Sequence, residues 1–372
     1  MMKNFEVAQS EDFSVDVAVN SIKEQLSGID ASLVLFFAST VYSTEAISKG
    51  MAEAFPGIRT VGCTTAGEMG PHRMGNNSVV AMAWDKKSLK SLNIEVLENI
   101  KNDERCVSKA FASFEKSLQT PMKTLDPDRY VGIVLIDGLS NCEEMINDKI
   151  GNQTNVTFLG GSAADDFTYK GTYLYVDGCV YTNAAVLMLM EPTNGYAILK
   201  TQSFTSTEIM LVPTKVDEKR RMVIEFNGRP ATEVFAESIG VAESEVVDFF
   251  GSFSLGLIFD EENYFIRTPQ FVEDKSIVFA CSIKEGLNLA IMKSRNIVED
   301  TKNDLEKAKR EYGPIQMVID FYCSLRNMEL KRKDHYKEYS ELYQDLKAIG
   351  FATYGESYIG HMNQTSTMLL LK

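Results

Sequence analysis

The sequence lacks several features that would assign it quickly to a class of protein. Its 372 residues include only three histidines and six cysteines, which show neither Cys-x-x-Cys pairs nor the spacing of zinc ligands. The longest apolar runs, such as 184–190, are far too short to span a bilayer, and the N-terminus does not resemble a secretory signal. We therefore expect a cytoplasmic protein with reduced cysteines, no metal site and no membrane span.

Positive charge and nucleotide motifs are also scarce. The chain has 38 Lys and Arg residues against 52 Asp and Glu residues, which gives a formal net charge of -14. Because such a protein repels phosphates on average, nucleic-acid binding is disfavoured. The sequence contains no Walker loop, no Gly-x-Gly-x-x-Gly fingerprint and no Gly-x-Ser-x-Gly elbow, which disfavours nucleotide binding and serine hydrolase chemistry.

What is present is a pattern of short apolar runs, each followed by a helical pattern. Such runs are typical of strands buried on both faces of a sheet, and the combination predicts an α/β fold. The predicted strands and the helices that follow them are 33–37 with 43–55, 130–136 with 141–150, and 316–322 with 334–349.

Three turns that follow these helices align without a gap. They cover 62–68, 160–166 and 350–356; each opens with glycine, continues with small residues and closes with a carboxylate, namely Glu68, Asp166 or Glu356. An apolar strand follows each turn. We infer a strand–helix–strand–turn–strand unit that is used three times and forms mixed sheets flanked by helices. The alternative is that glycine-plus-acid turns are common in α/β proteins and agree here by chance.

The stretch from 195 to about 300 has a different texture. Alternating runs at 208–212, 221–226 and 276–281 predict antiparallel strands, so the C-terminal half is expected to be richer in β-structure. With a linker near 191–196, we predict an N-terminal domain over 1–194 and a C-terminal domain over 195–372.

The closing carboxylates lie at the ends of strands, where open α/β sheets place their ligand crevice. Arg326 could bind a carboxylate through two hydrogen bonds while an acid receives an ammonium, which is the chemistry of amino-acid recognition. The alternative is that each carboxylate hydrogen-bonds only within its own turn. The candidate ligand-binding residues are Cys63, Thr64, Thr65, Glu68, Asp137, Ser140, Asp166, Arg326, Glu356 and Asn363.

Catalysis and cofactor binding have weaker signals. Cys63 has no histidine or acid at a distinctive spacing that would activate a thiolate, so we expect no enzymatic activity; a hydrolase or transferase that uses Cys63 is the alternative. We expect no cofactor. A single histidine can nevertheless bind haem iron, and His72 or His361 could do so, although isolated loop histidines are more often simply solvated.

Several motifs together resemble the FIST family, named for F-box and intracellular signal transduction proteins, over nearly the whole chain. Individually these motifs are weak, but their order and spacing are fairly specific. They are Val61–Glu68, Asp137–Ser140, Leu159–Asp166, Asn227–Ala231, Ile266–Pro269, Cys323–Arg326, Tyr354–Glu356 and Asn363–Thr365.

This resemblance implies a sensory module that recognises small molecules such as amino acids. Together with the acidic turns and Arg326, it predicts a cytoplasmic sensor that binds a small polar ligand, an amino acid, between its two halves. It implies as an alternative a haem protein that senses nitric oxide. Its expected partner is a separate signalling protein such as a histidine kinase, a chemoreceptor or a cyclic-dinucleotide enzyme, because no output domain is attached. One departure from the family pattern is Leu325, where a small residue is expected before the arginine.

Overall fold

The computed structural model describes residues 4–71, 73–258 and 264–372. The chain forms two compact units that interleave along the sequence. Unit 1 comprises Met1–Lys200, Lys302–Gly360 and Ser366–Lys372, and unit 2 comprises Thr201–Thr301 and His361–Thr365. The division at 194 and 195 that we expected between the family parts stays a prediction.

The helices of the described residues are short, from six residues in α8 to 16 in α6. They are α1 (Val15–Gln25), α2 (Thr44–Ala54), α3 (Cys106–Leu118), α4 (Glu143–Gly151), α5 (Ala231–Ile239), α6 (Ile297–Tyr312), α7 (Ser324–Arg332) and α8 (Tyr336–Glu341). None of them is long and apolar enough to cross a membrane.

The strands fall into three groups along the chain. The first group is β1 (Phe5–Ser10), β2 (Ala31–Ser39), β3 (Arg59–Thr65), β4 (Glu68–Met69), β5 (Met74–Gly75), β6 (Val79–Asp85), β7 (Leu89–Glu98), β8 (Val131–Ile136), β9 (Phe158–Ser162), β10 (Leu174–Val176), β11 (Cys179–Tyr181), β12 (Ala184–Pro192) and β13 (Tyr196–Gln202). The second is β14 (Phe204–Leu211), β15 (Pro213–Asp217), β16 (Met222–Phe226), β17 (Arg229–Pro230), β18 (Phe253–Ile258), β19 (Tyr264–Arg267), β20 (Pro269–Glu273), β21 (Ser276–Phe279) and β22 (Leu289–Ser294). The third is β23 (Met317–Cys323), β24 (Lys347–Thr353), β25 (Glu356–Tyr358), β26 (His361–Met362) and β27 (Thr365–Leu371).

The repeated unit expected from the sequence is confirmed in unit 1. Each repeat contains two parallel strands joined by a helical connection, and the three pairs are β2–β3, β8–β9 and β23–β24. The first strand of each pair also has an antiparallel neighbour, which is β6 for β2, β12 for β8 and β27 for β23. The three resulting mixed sheets run β1-β6-β2-β3-β10-β11, β25-β9-β8-β12-β7 and β13-β27-β23-β24-β4-β5.

The strand after each acidic turn leaves its own sheet. β4 follows β3 but pairs with β24, β25 follows β24 but pairs with β9, and β10 follows β9 but pairs with β3. Each of the three repeats therefore contributes one strand to the sheet of another repeat, so that every sheet receives one strand and gives one. Their inner faces share one apolar core that includes Phe37, Leu135, Leu159, Phe321 and Phe351.

The glycine that opens each turn permits this close pairing. A β-carbon at Gly62, Gly160 or Gly350 would lie 2.2, 1.9 or 2.4 Å from a carbonyl oxygen of the neighbouring parallel strand. These distances are far below contact distance, so a larger residue would force the two strands apart.

The predicted helix over 334–349 is wrong in its second half. Helix α8 ends at Glu341, and strand β24 begins at Lys347. The reason is tertiary: Ala348 and Ile349 are buried beside β23, and that packing overrides their helical pattern.

Unit 2 confirms the antiparallel strands expected between 195 and 300. Its strands form the sheets β14-β22-β18-β19 and β15-β16-β21-β20, with β17 paired to β16. Helix α5 packs on the core that these strands share, which includes Val223, Phe226, Phe235, Ile277 and Ile291.

Candidate functional site

A cavity of about 420 Å³ lies in unit 1 near the carboxyl ends of its parallel strands. Ala66 directly follows β3, Asp166 lies in the loop after β9, and helix α7 follows β23. This edge is where α/β sheets usually bind ligands. The lining residues are Ala66, Asn76, Asp166, Phe167, Asn327, Met328, Lys331 and Arg332.

Asp165 holds the loop that carries two of these lining residues. Its buried carboxylate accepts hydrogen bonds from the backbone amides of residues 169–171, at 2.9, 2.6 and 3.1 Å, and from the Tyr354 hydroxyl. Although burial opposes ionisation, these hydrogen bonds keep the pKa of Asp165 below its usual value. The loop can then hold Asp166 and Phe167 at φ angles of 55° and 62°, which non-glycine residues rarely adopt.

Asp166 is the closing carboxylate that reaches the cavity. Its two oxygens accept one hydrogen bond each, from the Asn76 amide at 3.0 Å and from the Thr40 hydroxyl at 3.3 Å. Both donors are neutral, and each oxygen keeps a lone pair for a further donor. The side chain is therefore a positioned anion at the cavity wall.

Asn327 forms the base of the cavity and is 3% exposed. Its Nδ2 donates to the Ala66 carbonyl at 2.9 Å, which fixes the orientation of the amide. A β-carbon at Gly67, whose φ is +135°, would lie 2.5 Å from that nitrogen, so glycine is needed there. Among the described residues, no donor reaches the buried Oδ1 of Asn327.

Glu68 is fully buried and does not line the cavity. One oxygen accepts from the Ser78 amide at 3.0 Å and from the Ser78 hydroxyl at 2.8 Å, and the Thr65 hydroxyl donates to the other. Burial, with a smaller contribution from the nearby charge of Asp166, raises the pKa of Glu68 to about 8 despite these hydrogen bonds. At neutral pH the side chain is therefore largely a neutral acid.

Arg326 lies on helix α7 but is not among the cavity-lining residues. It is 1% exposed, and its guanidinium interacts with Tyr339 and Asp320. Asp320 in turn accepts hydrogen bonds from the hydroxyls of Tyr339 at 3.1 Å and Tyr343 at 2.8 Å, and from Ser366. The guanidinium thus has an interior carboxylate as its electrostatic partner.

Helix α7 presents other residues to the cavity. Asn327 and Lys331 form one row at a spacing of four, and Met328 and Arg332 form a second. Lys331 and Arg332 are exposed. In the part of the chain that the structure describes, neither forms an ion pair, whereas the adjacent Lys333 lies 2.6 Å from Glu329.

The remaining candidates of the first turn are buried beside the cavity. Cys63 lies in the apolar core, where burial raises the pKa of its thiol well above the usual value. The Thr64 hydroxyl accepts from the Tyr173 amide at 3.0 Å, and Thr65 bonds Glu68. These three side chains serve the packing and pairing of the turn.

The other candidates are spread over both units. Asp137 accepts from the Leu139 amide at 3.0 Å and from the Thr172 hydroxyl, and Ser140 accepts from the Cys142 amide at 3.2 Å, so both stabilise the loop before α4. Glu356 is fully buried in β25 of unit 1. Asn363 belongs to unit 2.

Neither candidate haem ligand is among the described residues that line the cavity. His72 lies outside the described residues, and His361 is a buried residue of unit 2. Among the described residues that line the cavity, none is a histidine. Within the described ranges, no group of three or more His, Cys, Asp and Glu side chains is arranged to hold a metal ion. The described side chains of the cavity therefore supply no axial histidine for haem.

Seven lining residues were not predicted from the sequence, namely Ala66, Asn76, Phe167, Asn327, Met328, Lys331 and Arg332. The spacing of four between Asn327 and Lys331, and between Met328 and Arg332, was the available signal. It predicts one helix face once α7 is known to begin at Ser324.

A cavity near the carboxyl ends of parallel strands, lined by groups of both charges, is typical of the ligand sites of α/β folds. Family comparison places the chain: the FIST N domain model matches residues 32–229, and the FIST C domain model matches residues 231–358. The protein belongs to the FIST family, whose domains are sensory signal-transduction domains.

A curated relative extends this likeness to an archaeon. An uncharacterized protein of Methanocaldococcus jannaschii is 23% identical to the chain over 333 residues, which cover 84% of this chain and 63% of the relative. The chain therefore spans less than two thirds of that relative's length.

Proposed function

We propose that this protein is a sensory module that binds an amino acid in the cavity of unit 1 and signals through a separate protein. The observation that carries the proposal is the composition of the cavity lining. Asp166 and the Oδ1 atom of Asn327 can accept hydrogen bonds from an ammonium group, and Lys331 and Arg332 can donate to a carboxylate.

In this proposal Lys331 and Arg332 of α7 bind the ligand carboxylate, instead of Arg326 as the sequence suggested. Arg326 has Asp320 as an interior partner, so moving it to a ligand would leave a buried carboxylate uncompensated. Lys331 and Arg332 carry no such cost because both are exposed and unpaired within the described residues.

Within this proposal the protein binds its ligand and does not transform it. The supporting observation is the state of Cys63, the nucleophile considered for an enzyme. Burial raises the pKa of its thiol, which opposes formation of the thiolate that would attack a substrate.

Signalling requires that the ligand bind one conformation more tightly than another. A preference of about 1–3 kcal/mol would give a partner protein a detectable population shift. The partner classes that fit a FIST module are a histidine kinase, a chemoreceptor and a cyclic-dinucleotide enzyme. The alternative is haem-based sensing of nitric oxide, for which His361 is the candidate axial ligand among the described residues.

A thermal-shift screen of the standard amino acids tests the proposal. A ligand at about 100 times its dissociation constant should raise the melting temperature of the wild type by about 5 °C. Asp166→Ala should remove this shift, whereas Asp128→Ala, which removes an exposed carboxylate elsewhere, should preserve it. If no amino acid stabilises the wild type, or if Asp166→Ala responds like the wild type, the proposal fails. A haem-dependent Soret band that is lost in His361→Ala would favour the alternative.

A further inference from the structure

The cavity lining carries an excess of positive charge. Asp166 contributes one negative charge, and Lys331 and Arg332 contribute two positive charges. A neutral amino acid has one carboxylate and one ammonium, so it would leave one of these cations without a counter-charge. This imbalance contrasts with the chain as a whole, whose formal net charge is -14.

The acceptors of the cavity lie at its base. Asn327 uses its Nδ2 to bind the Ala66 carbonyl, and its Oδ1 is buried without a donor among the described residues. Buried acceptors are nearly always satisfied, by protein or by another molecule. Asp166 is the adjacent anionic acceptor. Together they favour a donor that can supply several hydrogen bonds, as an ammonium group does.

The two cations lie one helical turn beyond the acceptors. Lys331 follows Asn327 by four residues, which corresponds to a rise of roughly 6 Å along α7. Arg332 stands at the same spacing from Met328 on the adjacent row. Such a separation suits a ligand with a second carboxylate that a short aliphatic chain displaces from its ammonium, and Met328 and Phe167 can contact that chain.

We propose that the ligand of this cavity is an acidic amino acid, an α-amino dicarboxylate such as aspartate or glutamate. Asp166 and Asn327 bind its ammonium, and Lys331 and Arg332 bind its two carboxylates. The ligand then neutralises the lining in full. This inference rests on the function proposed above and narrows it to one class of amino acid.

Calorimetric titration of the full chain with matched ligands tests the inference. Glutamate or aspartate should bind at least about tenfold more tightly than glutamine or asparagine, because the amides lose one charged hydrogen bond. The acid should also bind about tenfold more tightly than glutarate or succinate, which lack the ammonium. Raising the salt concentration should weaken binding of the acids more than that of the amides.

Variants assign the selectivity to α7. Lys331→Met keeps the aliphatic stem and should weaken binding of the acid about tenfold, while affinity for the amide changes less than about twofold. Lys337→Met, on the exposed face of α8, is the matched control and should leave both affinities unchanged. Because Lys331 is exposed, its variant should melt like the wild type.

Three results would overturn the inference. Glutamine binding as tightly as glutamate would refute the role of the second cation but leave amino-acid sensing intact. Glutarate binding as tightly as glutamate would refute the ammonium site. Failure of every amino acid to bind would refute the proposed function itself, and this inference with it.

Discussion

Replacing Glu68 by glutamine should change how the stability of the protein depends on pH. Burial raises the pKa of this carboxyl to about 8 from an ordinary value of 4.5, so between these pH values the native protein holds a proton that the unfolded chain releases. Stability contributed by Glu68 is therefore full below pH 4.5 and is lost as the pH rises towards 8. The slope should approach 1.4 kcal/mol per pH unit, with a total of roughly 5 kcal/mol.

The Glu68→Gln variant has no proton to lose, and its amide can keep the hydrogen bonds to Ser78 and Thr65 that a neutral acid makes. Its stability relative to the wild type should therefore rise steadily between pH 5 and 8. Urea unfolding followed by the fluorescence of Trp84, the sole tryptophan, reports on unit 1, where Trp84 is buried in the core. Comparing two proteins at each pH cancels the other titrating groups.

Exposed Glu53 provides the control, because Glu53→Gln should shift stability by a nearly constant amount. A difference between wild type and Glu68→Gln that stays constant from pH 5 to 8 would refute the reasoning. It would mean that the hydrogen bonds to the carboxylate outweigh the desolvation of its charge.

Three further changes test the turns and the core. Asp165→Ala should destabilise the protein by about 2–4 kcal/mol in urea unfolding, because it leaves several buried donors unsatisfied, and should weaken ligand binding through the released loop. Gly160→Ala should cost more than about 3 kcal/mol, whereas Gly151→Ala, where a β-carbon meets nothing within 4 Å, should be nearly neutral. Iodoacetamide at pH 7.5 should alkylate exposed Cys179 rapidly and leave buried Cys63 unmodified, as peptide mass spectrometry would reveal.

Each of these three predictions has a result that would contradict it. Unchanged urea midpoints for Asp165→Ala would show that the loop does not depend on its carboxylate. Equal stabilities for the two glycine variants would contradict the close approach of the parallel strands. If Cys63 were alkylated as fast as Cys179 in the folded protein, the Cys63 thiol would be accessible and could act as a nucleophile.

The repeated unit was predictable because its signals are local. A buried parallel strand reads as a short apolar run, and its turn requires glycine for close approach, so both features stand directly in the sequence. The predicted helix after 334 failed because Ala348 and Ile349 carry a pattern that a helix or a buried strand can equally satisfy. Only contact with β23 decides between the two.

The candidate site was less predictable because it depends on contacts between distant segments. The three closing acids occupy equivalent turns, yet Glu68 and Glu356 are buried and Asp166 lines the cavity. The sequence suggested Arg326 as a ligand-binding cation, but its guanidinium interacts with Asp320 of the preceding strand β23. The residues that do line the cavity belong to no distinctive motif, and their shared position follows only from the path of α7 and of the loops after β3 and β9.

The exchange of strands among the three sheets affects the choice of fragment boundaries when FIST domains are expressed for experiments. A fragment that ends at residue 194 or at residue 229 would lose β23, β24 and β25, and with them the partners of β4 and β9. It would expose two bare sheet edges and the core residues that the third sheet covers, which favours aggregation. The boundary between the two matched family regions thus does not coincide with a boundary between compact units, and we expect deletion variants to stay folded only when all three repeats are kept together.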